Sequence, residues 1–178
     1  MRIFGVDPGT ATTGYGILDT AGANDFIYVG SGIIQTKNDR SMAERLQIVR
    51  SDLLSLLEQY LPDVVVIEQL FFFRNATTVI PVAQARGVIL EAAATRKVPV
   101  AEYTPMQVKM HLTGYGRADK KLVQFTVAKL LGHSQIIKPD DAADAVALAV
   151  CHARVGLTQF CKPLPGSLSV EDGLQNLG

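Results

Sequence analysis

The sequence is poor in cysteine and in long apolar runs, and each shortage excludes a class of protein. Its two cysteines, Cys151 and Cys161, are too few for a disulfide framework and lack the set of Cys and His partners that forms a zinc site. No apolar run approaches the roughly 18 residues that a membrane span needs, and no basic and apolar leader opens the chain. We therefore expect reduced thiols and a soluble, cytoplasmic protein.

The chain also lacks net charge, since its formal charge at pH 7 is zero, but its charges are unevenly distributed. Residues 74–138 hold ten Lys and Arg against three Asp and Glu, and the rest of the chain is acidic to the same extent. A basic segment of this kind suits nucleic acid, although ordinary solvated helix faces are the simpler explanation of the charge alone.

The length and composition indicate one domain. With 178 residues, 48% of them hydrophobic, the chain can bury one sizeable core, and no shift in composition marks a second. Gly, Pro and Ser become frequent near the C-terminus, where hydrophobic periodicity fades. We predict a domain over residues 1–156 and a flexible C-terminal tail over residues 157–178.

Five segments have the composition of β-strands. The first three are separated by turn-forming residues, as in an antiparallel meander, and the fourth is a continuous β-branched run typical of a strand covered on both faces. After the third strand, the segments between and beyond the strands have helical periodicity. The predicted strands are residues 2–7, 13–19, 26–36, 64–67 and 98–103.

Five helices are predicted between and after these strands. The first has a capping box at Ser41 and Glu44, and the second has apolar residues on more than one face, which indicates self-association. Strands that alternate with helices after a meander predict an α/β fold with a mixed sheet and helices on both faces. The predicted helices are residues 41–60, 75–96, 105–112, 118–131 and 140–155.

Acidic residues stand where a folding chain should avoid them. Asp7 and Glu68 end apolar strands, where ligand sites form in such sheets, and Asp141 and Asp144 lie in Ala- and Val-rich sequence. Each pair of carboxylates about 4 Å apart repels by roughly 4 kcal/mol at a dielectric near 20, which hard divalent cations would offset. Taken singly, a turn at Asp7 and helix capping near Asp141 explain these residues, and spacing cannot choose between Asp140 and Asp141.

Two further groups of residues are suited to nucleic acid. Three phenylalanines follow Glu68, of which at least one belongs in a core while the others can stack on bases beside a phosphate-binding arginine. Basic residues surround a Gly-rich turn at 114–116 and suit phosphate contact. These candidates are Phe71, Phe72, Phe73, Arg74 and Asn75 in the first group, and Lys109, Arg117, Lys120 and Lys121 in the second.

Several ordered motifs resemble the RuvC-type crossover junction endodeoxyribonucleases of bacteria. The resemblance implies a ribonuclease-H-like fold, a homodimer, and symmetric nicking of four-way (Holliday) DNA junctions in recombination and repair. The motifs are Gly5-Val6-Asp7-Pro8-Gly9 with Thr13-Gly14-Tyr15-Gly16, Ile67-Glu68-Gln69, Gln84-Ala85-Arg86-Gly87, Gln107-Val108-Lys109, residues 114–120, and Asp141-Ala142-Ala143-Asp144-Ala145.

The resemblance also assigns roles residue by residue. It makes Asp7, Glu68, Asp141 and Asp144 the catalytic acids that bind two Mg²⁺ or Mn²⁺ ions, which selects Asp141 over Asp140. It places Lys120 and Lys109 near the phosphates and makes Phe71 the aromatic that enters the junction, with Phe72 as the substitute. It further implies that helix 75–96 forms the dimer contact and that a branch-migration motor complex is a partner.

Three other functions fit parts of the sequence. Asp7 to Thr10 with Gly14 looks like the first phosphate loop of actin and sugar-kinase ATPases, but 178 residues leave no room for their second lobe. A related, shorter family of nucleases acts on ribosomal RNA precursors and lacks several of these motifs. A junction-binding scaffold that does not cleave would need none of the four acids.

Overall fold

The computed structural model describes residues 1–22, 25–70 and 76–155, with the backbone alone at residues 22 and 76–78. The predicted contact residues Phe71, Phe72, Arg74 and Asn75 lie outside the described residues, as does the predicted tail at 157–178. The division into a domain and a tail therefore stays a prediction.

In the described part of the chain, five strands form one mixed sheet, as the sequence predicts. The spatial order is β3-β2-β1-β4-β5, in which β1, β2 and β3 are antiparallel while β1, β4 and β5 run parallel. The parallel arrangement brings the carboxyl ends of β1 and β4 to the same edge. The strands are β1 Arg2–Asp7, β2 Thr12–Gly22, β3 Asp25–Gln35, β4 Val64–Glu68 and β5 Val100–Tyr103.

Among the residues that the structure describes, five helices accompany the sheet, and polar caps fix where several of them begin. Ser41 and Glu44 form the predicted capping box of α1, and Thr104 and Gln107 form a second one for α3. Asp119 caps α4 by accepting a hydrogen bond from the backbone N–H of Leu122 at 2.7 Å. The helices are α1 Met42–Tyr60, α2 Ala76–Thr95, α3 Pro105–Thr113, α4 Lys120–Leu130 and α5 Asp140–Val155.

The sheet is covered by helices on both faces, as predicted. Alternate residues of one strand enter opposite cores, because successive side chains of a strand point to opposite faces. Val64 and Val66 join a core with α3, α4 and α5, whereas Val65 and Ile67 join a core with α1 and α2. Residues 64–67 are 3% exposed or less, which confirms the prediction that this strand is buried on both sides.

Some predicted boundaries were wrong for local reasons. The fifth strand begins at Val100 instead of residue 98, because the N–H of Val98 still bonds to the Ala93 carbonyl at the end of α2. Helix α4 begins at Lys120 instead of residue 118, because Asp119 is its cap. Strand β2 extends beyond residues 13–19 because Thr12, Thr20 and Gly22 also pair with residues of β3.

Helix α5 lies unusually close to the sheet, and three glycines make this possible. Gly5 and Gly16 are partners across β1 and β2, and Gly14 is the partner of Asp7. A Cβ on Gly5 would stand 2.0 Å from the Ala145 carbonyl oxygen, and one on Gly14 would stand 2.0 Å from that of Asp141. Any side chain at these positions would push α5, with its carboxylates, away from Asp7.

None of the helices in the part of the chain that the structure describes is long and apolar enough to cross a membrane.

Candidate active site

Three of the predicted acids converge on one cavity. Asp7 ends β1 and Glu68 ends the adjacent parallel strand β4, so the sheet delivers both carboxylates to the same edge. Asp144 reaches them from the second turn of α5. The cavity has a volume of about 260 Å³; it is lined by these acids, by Lys109 and Lys120, and by apolar groups of α3, α4 and α5.

Asp7 is the most strongly perturbed of these acids. Burial raises the pKa of its carboxyl group to about 7, and the charges of Asp144, Glu68 and Asp141 contribute in the same direction. The ammonium group of Lys120 acts the other way but does not offset them. The raised pKa shows that the other three predicted acids are close enough to Asp7 to repel its negative charge.

Glu68 has the same kind of environment. Burial raises the pKa of its carboxyl group, the charge of Asp144 adds to the effect, and Lys109 opposes it. Two strand-end carboxylates are thus held in a place that disfavours their charged forms. Strongly perturbed acids in a cleft are typical of catalytic and metal-binding sites.

Lys120 is the cation in closest contact with this acidic group. Its Nζ lies 2.8 Å from Oδ2 of Asp144 and 3.5 Å from Oδ2 of Asp140. The hydrogen bond to Asp144 raises the pKa of Lys120. On the outer side, Lys138 Nζ lies 2.9 Å from Oδ1 of Asp140, so that carboxylate stands between two ammonium groups.

The side chains fit a hard divalent cation by their chemistry and charge. Among the described residues, no three His, Cys, Asp or Glu side chains already converge closely enough to hold an ion together. The donor set nonetheless consists of carboxylate oxygens alone, which Mg²⁺ and Mn²⁺ prefer. The pKa values of Asp7 and Glu68 are raised, so a nearby positive charge would favour the ionised forms of these two carboxyl groups.

The remaining predicted residues are divided between this cavity and its surroundings. Asp141 does not line the cavity, although its charge acts on Asp7 and its carbonyl lies against Gly14. Arg117 and Lys121 are exposed and do not line it either.

Sequence reasoning missed the structural role of the glycines and the position of Lys120. Gly5, Gly14 and Gly16 appear in the sequence only as parts of motifs, yet they set the distance between α5 and the sheet. The available signal is that glycine inside a strand often marks a close backbone approach. The pairing of Lys120 with Asp144 had no signal in the sequence, because the two residues belong to different helices.

Comparisons with known proteins agree with the resemblance seen in the sequence. The family model "Crossover junction endodeoxyribonuclease RuvC" matches residues 3–152. Proteins of the same name are similar to this chain. The one from Syntrophomonas wolfei is 51% identical over 85% of this chain and 88% of its own. The one from Fusobacterium nucleatum is 50% identical over 85% of this chain and 80% of its own.

A solved structure agrees as well. The structure described as T. thermophilus RuvC in complex with Holliday junction substrate superposes with a TM-score of 0.83. It is 34% identical in sequence and covers 87% of this chain and 94% of its own.

Proposed function

Because the chain belongs to the crossover junction endodeoxyribonuclease RuvC family, we propose that Asp7, Glu68, Asp141 and Asp144 are the metal-binding acids of its active site. Its function is that of the family: an endonuclease, hence a hydrolase, that resolves Holliday junctions and depends on divalent metal. Its sheet and helices have the ribonuclease-H-like arrangement of this family.

One observation carries the assignment of the site. Asp7, Glu68 and Asp144 line a single cavity at the carboxyl edge of β1 and β4. The charges of the other three proposed acids help to raise the pKa of Asp7 to about 7. A stable fold gains nothing from this arrangement of like charges, whereas a site for cations requires it.

The carboxylates would hold two ions, Mg²⁺ or Mn²⁺, in each site. Bound ions of this kind supply Lewis acidity and positive charge for in-line hydrolysis of a phosphodiester, which leaves a 3′-hydroxyl and a 5′-phosphate. Asp7 and Glu68 would hold the cations from the carboxyl edge of the sheet, and Asp144 and Asp141 would hold them from α5. Lys109 and Lys120 line the same cavity and would bind the phosphate.

Contacts to the DNA away from the cut bond would come from exposed basic and aromatic residues. Arg117 and Lys121 are exposed, lie near Lys120 in the sequence, and suit phosphate contact. Phe71 or Phe72, with Arg74 and Asn75, follows the catalytic Glu68 in sequence and would contact the bases at the junction.

The protein would act as a homodimer that contacts its second copy through α2. Ile80 of this helix is 60% exposed, and Val79, Val82 and Val88 are only partly buried. A two-fold protein would place two sites on a two-fold junction, so that both nicks can be made symmetrically. We also propose that it works in the cytoplasm with a branch-migration motor complex, as the family resemblance suggests.

Asp7→Asn tests the site directly. The substitution keeps the shape of the side chain and removes its charge, so cutting of a four-way junction should fall at least about a thousandfold while junction binding persists. Asp52→Asn, an exposed acid on α1, is the matched control and should cut at the wild-type rate. Wild-type cutting by a folded Asp7→Asn variant would refute the proposed site.

A further inference from the structure

We propose that Asp140 is a positioning residue, which holds the ammonium group of Lys120 when Asp144 binds a metal ion and thereby increases the affinity of the site for that metal. This inference rests on the proposed function, since it concerns the same metal site. It gives a role to an acid that lies outside the four proposed ligands.

The geometry places Lys120 between two carboxylates one helical turn apart. Lys120 is the first residue of α4, and Asp140 and Asp144 project from the same face of α5. The Nζ atom of Lys120 lies 2.8 Å from Oδ2 of Asp144 and 3.5 Å from Oδ2 of Asp140. A small movement of the ammonium group would exchange the closer partner for the farther one.

A metal ion and Lys120 would compete for Asp144. The Oδ2 atom of Asp144 already accepts a hydrogen bond from Lys120, and an ion bound by this carboxylate would repel the ammonium group nearby. Binding of the ion therefore requires Lys120 to move from that oxygen to another acceptor. Of the described residues, Asp140 is the other carboxylate within ion-pair distance of Lys120 Nζ.

The surroundings of Asp140 suit it to receive the ammonium group. Lys138 Nζ, 2.9 Å from Oδ1, holds the carboxylate in place and leaves Oδ2 directed to Lys120. The amide of Gln124, one turn along α4, also acts on Asp140 and helps to lower its pKa. Gln124 is 6% exposed, and within the described part of the chain its Nε2 has no hydrogen bond of normal geometry. This buried donor is therefore available to bond to the Asp140 carboxylate.

The test is a double-mutant cycle on Mn²⁺ affinity, with no DNA present. The full-length protein is freed of metal with EDTA and dialysed, and free Mn²⁺ is then measured by electron paramagnetic resonance during a titration. Asp140→Asn should weaken binding about threefold to tenfold, and Lys120→Gln should strengthen it by a similar factor. In a Lys120→Gln background, Asp140→Asn should change the affinity by less than about 1.5-fold, because the lysine through which Asp140 acts is gone.

A second lysine of the cavity provides the matched control. Lys109 lies on α3 and acts on Glu68, so in a Lys109→Gln background Asp140→Asn should weaken Mn²⁺ binding as it does in the wild type. If Asp140→Asn weakened binding equally in the Lys120→Gln background, Asp140 would act as a ligand or as a bare charge, and the inference would be overturned. A wild-type protein that binds no Mn²⁺ would instead overturn the proposed metal site itself.

Discussion

In this fold the neutral form of the Asp7 carboxyl group is favoured more than in the unfolded chain, although the proposed chemistry needs the charged form. Burial and three neighbouring acids raise its pKa from 3.8 to about 7. The fold therefore binds a proton at Asp7 more tightly than the unfolded chain does. A bound cation would reverse this preference, which ties metal binding to ionisation of the site.

Asp7→Asn should stabilise the protein, and the gain should depend on pH. Since the raised pKa belongs to the folded state of an acid, the free energy of unfolding of the wild type should fall as pH rises from about 4 to about 7. Asparagine does not titrate, so this loss should vanish in the variant. In EDTA, the stability advantage of Asp7→Asn should be about 2 kcal/mol larger at pH 8 than at pH 5.

The measurement is urea unfolding of both proteins at the two pH values. Asp52→Asn serves again as the control, since an exposed carboxylate should give a difference that changes little with pH. An advantage of Asp7→Asn that was the same at pH 5 and pH 8 would show that the fold does not raise the pKa of Asp7.

The sequence indicates some of the proposed site residues better than others. Asp7 and Glu68 stand out in combination, because each ends an apolar strand and the parallel pairing of these strands brings both to one edge. Spacing alone could not separate Asp140 from Asp141, because both lie in the first turn of α5. The contact between Lys120 and Asp144 depends on how α4 packs against α5, and no local pattern encodes that packing.

At the level of secondary structure, the contact between α5 and the first two strands controls the site. The acids of α5 reach Asp7 because positions 5, 14 and 16 are glycines, so no side chain at these three positions stands between the helix and the strands. Close packing of this kind tolerates little added volume. The position of the proposed catalytic acids therefore depends on residues that carry no functional groups.

Gly16→Ala should reduce both stability and cutting. The added methyl group would stand 2.4 Å from Cγ2 and 2.8 Å from Cα of Val146, so α5 must move. We expect a loss of about 1 to 3 kcal/mol in the free energy of unfolding, with a fall in the cutting rate because Asp141 and Asp144 shift from Asp7. Urea unfolding and the rate of junction cutting at 25 °C are the two measurements.

Two variants separate displacement of α5 from simple loss of stability. The methyl group added by Gly30→Ala on β3 would stand 3.9 Å from the Tyr60 hydroxyl, which is an ordinary contact. This variant should keep the stability and the cutting rate of the wild type. Ser41→Ala removes the cap of α1 and should cost about 1 kcal/mol of stability without changing the cutting rate. A Gly16→Ala protein that cut as fast as Ser41→Ala would contradict the role given to this packing.

The secondary structure was more predictable than its exact ends. Strands and helices have strong periodic signals, and all ten elements appear in the predicted order. Ends depend on single hydrogen bonds, such as the one from Val98 to Ala93 that delays the start of β5. The close approach of α5 could not be predicted by periodicity, since it depends on what lies opposite each glycine.

For the whole molecule, the proposal predicts a dimer that joins two copies through α2. Ile80→Glu should place a charge in the contact and shift the sedimenting species from about twice the chain mass to the chain mass of 19.2 kDa. Because each copy would keep its own site, nicking should become unpaired.

Phe125→Glu on α4 is the matched control for this substitution. Phe125 is 61% exposed, almost the same as Ile80 at 60%, but lies on a different helix. The Phe125→Glu protein should remain dimeric and should make paired nicks. A dimer that survived Ile80→Glu, or paired nicking by a monomer, would show that α2 is not the contact between copies.

Cutting of a labelled synthetic four-way junction, beside a linear duplex of the same sequence, tests the central claim most directly. With Mg²⁺ or Mn²⁺, the wild-type protein should make paired nicks in the junction alone, the nicked products should be sealed by ligase, and EDTA should abolish cutting while binding remains. Cutting that continued in EDTA, or that consumed the duplex as quickly as the junction, would contradict the account.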